Sequence, residues 1–431
     1  MYLLKDISIY FRPDTLGLMF LMLTVFMWIM ELIYSIEYMK KEKHRKRFYV
    51  FYTLTLFSMC GICMAGNLIT MYMCYELMAV VSLPLVLHEQ SSEAIAAGKK
   101  YIFYSVGGAF LGLAGFFFIY RYGDTLVFTP GGVLNTARLA GHETPMRIVT
   151  MLVIIGFGSK AGMFPLHGWL PTAHPVAPSP ASAFLSGNIT KMGVFVIIRY
   201  VYYLVGPDFI RGTWVQYTFI GLSLLTVIMG SMMAYKEQVF KKRLAYSTVS
   251  QVSYALFGIA LLNRIAFIGA LLHVIYHSFV KNTLFEVAGA VIHNMGLKKA
   301  ADYRDMARYM PVAMCCYTLA SLTLVGIPPT SAFLSKWYLA TGSLETELPV
   351  VSWLGPVALI ISALLTAGYL LSITLKAFFP GDEYDYPCLE KKEPGKFMLV
   401  PMLIMSTGAV LMGVWAGPLM RIAKLIAGSV L

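Results

Sequence analysis

The sequence predicts an all-α polytopic membrane protein of about twelve transmembrane helices, with two inverted five-helix repeats that contain broken helices. Three observations carry this. Apolar runs of about 18 or more residues recur along the whole chain. Of its 431 residues 58% are hydrophobic and 13% charged, against about 25% charged in soluble domains. The runs are continuous and do not alternate, which excludes a β-barrel.

Taken in order, the first run, 14–38, is long enough to span and lacks a small-residue cleavage site, so a spanning helix is expected and not a signal peptide. The cluster KKEKHRKR, Lys40 to Arg47, separates it from runs at 48–66 and 68–88. Further helices are expected at 93–121, 147–166, 179–205, 214–236, 240–262, 264–294, 310–341, 351–379 and 397–428. This order places the basic loops Lys40 to Arg47, Lys236 to Arg243, Lys298 to Arg308 and Lys391 to Lys396 on one side, and Glu345 and Glu347 on the other. The net charge of +12 is therefore assigned to a positive-inside pattern and not to nucleic-acid contact. Both termini are expected on the extracytoplasmic side of the inner (cytoplasmic) membrane, although Arg121, Arg138 and Arg147 fall there as well.

A weak internal repeat marks the halves. Ser159-Lys160 precedes Met163-Phe164-Pro165 in the fifth helix, and Gly326-Ile327-Pro328-Pro329 precedes Ser335-Lys336 in the tenth. An offset of five helices is odd, so the two units would have opposite topology. Paired proline-interrupted segments in corresponding halves point to a transport site. The expected organisation is a flanking helix and basic loop at 1–47, repeats at 48–205 and 214–379, and a loop with a closing helix at 380–431.

The chemistry lies in ionisable residues inside apolar runs. Lys160 and Lys191 stand in helical runs on either side of a proline-rich break. A lysine at membrane depth costs roughly 2.5–3.5 kcal/mol on insertion scales, and broken backbone at that depth is tolerated only inside protein or along a wet cavity. A path for ions is favoured over a stable buried pair. Glu76 is the only carboxylate in its run; it is expected to pair with Lys160, the alternative being a structural ion pair. His273, His277 and Lys281 fall at i, i+4 and i+8, on one helix face. Without an HExxH glutamate or third ligand they suggest a proton relay and not zinc. Glu286 is a weaker candidate counter-charge, and Lys336 a terminal group that could face the far aqueous side. Lys376 is expected to snorkel. Pro165, His167, Pro328 and Pro329 mark the breaks, and Ser247, Ser250 and Gln251, with Thr248, supply polar support.

Other functions fail for want of motifs. The sequence has no Walker A sequence and no GxGxxG that follows a strand. His273 and His277 share one helix, a poor arrangement for two axial ligands of one haem. Cys60 and Cys63, and the adjacent Cys315 and Cys316, lie in apolar helices with no second pair at ligand spacing. No metal and no cofactor-binding residue is predicted in this chain.

The segments KAGMFPLHGWLPTAHPVAPSPASAFLSG, KKRLAYSTVSQVSY, HVIYHSFVKNTLF and GIPPTSAFLSKWYL together resemble the antiporter-like membrane subunits shared by respiratory complex I, Mrp-type cation/proton antiporters and group 4 membrane-bound nickel–iron hydrogenases. The resemblance runs from about Asn67 to Phe379. It implies a proton- or sodium-translocating subunit without a redox centre of its own. Iron–sulfur clusters and nickel–iron or flavin centres would lie in partner membrane-complex subunits. It also implies that Glu76 is the glutamate paired with Lys160, Lys191 the connecting lysine, His273, His277 and Lys281 the second-half relay, and Lys336 the terminal lysine. Two helices usual before the glutamate helix have no counterpart here, and no long lateral helix follows the twelfth. The AHPVAPSPASAFLSG wording is nearest to the hydrogenase and Mrp-like branches. A subunit of a free-standing Mrp-type Na+/H+ antiporter and a non-conducting structural scaffold are the alternatives; ionisable residues at every motif position argue against the scaffold.

Overall fold

The computed structural model describes residues 2–4, 7–381 and 391–431, so part of the predicted loop after 380 lies outside the described residues. The helices are α1 (Thr15–Tyr38), α2 (Arg45–Met64), α3 (Leu68–Val86), α4 (Ser92–Tyr122), α5a (Glu143–Ala161), α5b (Leu170–Val176), α6 (Ser179–Val205), α7 (Trp214–Lys236), α8 (Phe240–Ala260) and α9 (Arg264–Met295). They continue with α10a (Pro311–Val325), α10b (Ser331–Leu344), α11 (Pro349–Phe378), α12a (Lys396–Val414) and α12b (Gly417–Val430). Among the described residues, nine helices are long and apolar enough to cross a membrane. A short antiparallel hairpin, β1 (Tyr2–Leu4) with β2 (Ile7–Ser8), precedes them and was not expected.

Side-chain caps start several helices. Asp14 accepts from Gly17 N at α1, Asn67 from Thr70 N at α3, Ser91 from Ala94 N at α4 and Asn263 from Ala266 N at α9. Each satisfies an N–H that the helix itself cannot.

Three predicted spans are divided. The fifth ends at Ala161 because Gly162 adopts φ 81° and turns the chain; helix resumes only at Leu170. The tenth stops in the same manner at Gly326, φ 92°. The twelfth is two helices, separated at Trp415–Ala416, where one helix was expected.

Depth in the bundle is uneven. The apolar window of α6 is 100% buried and that of α9 89%, whereas those of α4 and α12a are 33% buried. The central pair is thus α6 and α9, the helices that carry Lys191 and the His273, His277, Lys281 stripe. The basic loops gather at one end: Lys41 donates to His293 O, Val239 bridges Lys299, and Asn294 donates to Lys392 O. At the other end the Arg199 guanidinium, 1% exposed, holds Asp14 through two bonds of 2.6 Å and ties α6 to the start of α1.

Candidate ion path

Lys160 sits in the last turn of α5a with its side chain fully buried. Its ammonium donates to Tyr101 Oη at 2.7 Å and Ser105 Oγ at 2.9 Å, both on α4, and lies 4.3 Å from the Tyr101 ring centroid. Tyr101 Oη also lies 2.5 Å from Ser82 Oγ of α3. Close helix contact makes this possible: a Cβ on Gly108 of α4 would stand 2.4 Å from the Gly156 carbonyl of α5a. Small residues at a crossing let membrane helices approach in this way.

The expected pair of Glu76 and Lys160 is not in direct contact. Glu76 is half-buried and accepts from Tyr72 Oη at 2.8 Å, one turn back on its own helix. Its side chain is directed along the flank of α3, and the lysine takes neutral oxygens from α4 in its place. Any influence of Glu76 on Lys160 therefore acts through space.

Lys191 follows a π-helical turn, Leu185–Ile189, in α6. Such a turn leaves carbonyls without their usual partners. Lys191 Nζ donates to Ser186 O, and Ser278 of α9 donates to Gly187 O at 2.7 Å. Ser186 Oγ meets Thr248 Oγ1 of α8 at 2.7 Å. Two residues further along α6, a Cβ on Gly193 would stand 3.1 Å from the Lys160 carbonyl carbon, so α6 packs directly on the end of α5a.

Lys191, Gln251, His273 and His277 converge, with Val194, Val252, Ala255 and Val274, around a void too small to admit water. Neither nitrogen of His277, neither polar atom of the Gln251 amide and not Nε2 of His273 finds a hydrogen-bond partner in the chain. His273 Nδ1 lies 2.9 Å from Ser335 Oγ of α10b and its ring stacks on Tyr254, centroids 5.3 Å apart. Lys336 Nζ lies 5.2 Å from the Tyr254 centroid and donates to Leu324 and Val325 carbonyls at the end of α10a. It points inward and not to the far aqueous side. Lys281 lies one turn beyond His277 and donates to Leu244 O at 3.2 Å.

The breaks and supports sit around this line. Pro165 and His167 lie between α5a and α5b, His167 stacking on Phe164, and Pro328 and Pro329 lie between α10a and α10b. Ser250 Oγ lies 2.8 Å from Ser231 Oγ, and Ser247 accepts from Tyr369 at 2.6 Å. Lys376 is exposed beside a cavity of about 250 Å³ at the basic end. Among the described residues, no three His, Cys, Asp or Glu side chains assemble as a metal set.

The sequence reading missed Tyr101, Ser105 and Trp169 around Lys160, Tyr254 between His273 and Lys336, and the buried His174. These are neutral or lie in the break, so charge pattern does not single them out. It also missed Glu31, although that residue stands in mid-run, flanked by charge only at the ends of 14–38 (Asp14 and Glu37), much as Glu76 stands in its run.

These features define a polytopic helical membrane protein with a buried basic axis. Residues 65–366 match the family described as NADH:quinone oxidoreductase/Mrp antiporter, TM, and residues 4–49 that described as NADH-Ubiquinone oxidoreductase (complex I), chain 5 N-terminus. The chain belongs to the NADH:quinone oxidoreductase/Mrp antiporter membrane family. It is 30% identical over 414 residues to NADH-quinone oxidoreductase subunit N of Desulforudis audaxviator, which covers 92% of this chain and 80% of that one. It is 29% identical over 439 residues to hydrogenase-4 component B of Escherichia coli, covering 96% of this chain and 64%, under two thirds, of that relative. In fold it is similar to a chain of the membrane-bound sulfane sulfur reductase, an archaeal respiratory membrane complex, with TM-score 0.85 at 20% identity over 99% of this chain and 84% of that one.

Proposed function

We propose that this chain is an antiporter-like subunit that moves protons, or exchanges H+ with Na+, across the cytoplasmic membrane within a redox-driven complex. A membrane-bound hydrogenase or a complex I-like oxidoreductase is the assembly it fits, and the iron–sulfur, nickel–iron or flavin centres belong to partner subunits. One observation carries the reading: Lys160, Lys191, His277, His273, Lys281 and Lys336 form a series through the interior in which, among the described residues, no side chain is ion-paired. Ionisable groups held at membrane depth on neutral partners are costly and mark ion pathways. The convergence of Lys191 with Gln251, His273 and His277 supports transfer between the halves 48–205 and 214–379, which act as inverted repeats. Glu76 biases the charge on Lys160 from outside contact distance. The basic loops face the cytoplasm and both termini lie outside. The family's Mrp members favour a second reading, a subunit of a free-standing Na+/H+ antiporter, in which flux follows a Na+ gradient without a redox donor.

The test uses the assembled complex in sealed vesicles. Glu76→Gln and Lys160→Ala should each abolish coupled ion movement while partner redox activity persists. Removing one member of a buried charge constellation can cost roughly 3–5 kcal/mol, so assembly is checked before flux is read. If both variants assemble and pump at the parent rate, the reading is wrong.

A further inference from the structure

Two glutamates outside the basic series share one level of the bundle. α1 and α9 run side by side in the same direction at a constant offset of 255 residues: Asn282 donates to Met27 Sδ at 3.2 Å, and a Cβ on Gly289 would stand 2.5 Å from Tyr34 Oη. Glu31 and Glu286 fall at the same offset, between those two contacts. Tyr34 fixes the level by donating to the Glu286 carbonyl at 2.8 Å. Both side chains are 0% exposed, and none of their four carboxylate oxygens finds a hydrogen-bond partner in the chain.

The groups that face them are few. Tyr34 comes from α1, which also carries Glu37 further along, and Tyr52 from α2. Cys316 comes from α10a, and Ser406 of α12a reaches Cys316 and not the acids. From α6, Ser179 packs on Gly289. On α9 the nearest cation is Lys281, five residues away and bonded to Leu244 O. α12a carries no charge beyond Lys396 at its start. Among the described residues no cation pairs with either acid.

We propose that Glu31 and Glu286 form a buried acid pair that holds at least one exchangeable proton at neutral pH, a proton-binding site apart from the basic series. An unpaired carboxylate in such surroundings is prohibitive, and two at one level compound the cost through like-charge repulsion. A proton resolves this with the atoms present: the O–H bond of one carboxyl breaks as an O–H bond forms on the other, and the pair's net charge is unchanged. A metal ion would find two carboxylates amid Met27, Trp28, Tyr34 and Tyr52, and no third acid, His or Cys completes a ligand set among the described residues. The site rests on the membrane reading but not on transport itself.

Infrared spectroscopy of the full chain in lipid nanodiscs, in H2O and D2O, tests this. At a pH well above the ordinary carboxylate range, the parent should show a protonated-carboxyl stretch that shifts in D2O. Glu31→Gln and Glu286→Gln keep the shape of each site. Each single variant should keep a band from the acid that remains, the double variant should remove their contribution entirely, and Glu286→Asp should retain a band. A band unchanged in the double variant, in protein that keeps the parent melting temperature, overturns the proposal. Lys160→Ala should leave the band intact; its flux bears on the transport reading alone, so the two can fail separately.

Discussion

The Gly108–Gly156 contact sets the position of the two groups that hold Lys160, and Gly108→Ala tests this directly. The added Cβ would stand 2.4 Å from the Gly156 carbonyl, where ordinary contact begins at 3.4 Å. The helices must then part by about 1 Å, an overpacking that costs about 1–3 kcal/mol. Ser105 lies on α4 only three residues before Gly108, and Tyr101 one further turn back. Parting by that distance would stretch the Lys160 contacts from 2.7 and 2.9 Å to about 3.7 and 3.9 Å, beyond hydrogen-bond range. Each bond to a charged group is worth about 1.5–3 kcal/mol. With both bonds lost and no relaxation the expected loss of stability is about 4–9 kcal/mol, relaxation of the helices bringing it towards the lower figure, and vesicle ion flux should fall. Gly107→Ala is the control: its added carbon meets nothing within 4 Å, and replacing a helical glycine by alanine stabilises by about 0.5–1 kcal/mol. If Gly108→Ala matches Gly107→Ala in both melting temperature and flux, the crossing does not position the lysine and the argument fails.

Three further outcomes follow from the geometry. Asp14→Ala strands the buried Arg199 guanidinium and should destabilise by roughly 3–5 kcal/mol, more than Arg199→Met, which leaves a carboxylate that is 39% exposed; equal losses by thermal unfolding would contradict this. His88, beyond the end of α3, has its pKa pushed down from 6.5 to about 4 by burial and by the neighbouring Arg47 cation. The unfolded chain then takes up the proton first, so stability should fall as pH drops below about 6.5 and level off below about 4; His88→Gln should flatten that slope, and an unchanged slope would exclude the residue. Replacing His273 and His277 together by alanine should slow translocation with no release of metal; stoichiometric zinc in the parent protein, lost on His277→Ala, would favour a metal site.

Spans and charged candidates were legible because a lysine in an apolar run is conspicuous on cost alone. Partner choice was not. Glu76 and Lys160 look matched by charge, yet the lysine takes Tyr101 and Ser105, and only the crossing of α4 and α5a reveals why. The division of the twelfth span at Trp415–Ala416 did leave traces, Gly417-Pro418 and then Arg421 and Lys424 in the second piece, but the apolar flanks masked them. The sequence does show proline and glycine at the fifth and tenth helices, where Gly162 and Gly326 adopt positive φ. Glu31 was overlooked because its partner is remote in sequence and of like charge, which pairing logic does not seek.

The continuity of α9 has a mechanical consequence. It runs for 32 residues without a break, so its rise of about 1.5 Å per residue holds His273, His277 and Lys281 on a rigid ruler at steps of about 6 Å. Side chains one turn apart can still meet, as Tyr72 and Glu76 do at 2.8 Å on α3, but the His273 and His277 ring centroids stand 6.0 Å apart. In this arrangement the two imidazoles stack and do not hydrogen-bond to each other. The neighbours are less regular, with Lys191 just after a π turn in α6 and Lys336 just after the break in α10, whereas α9 keeps one fixed stride.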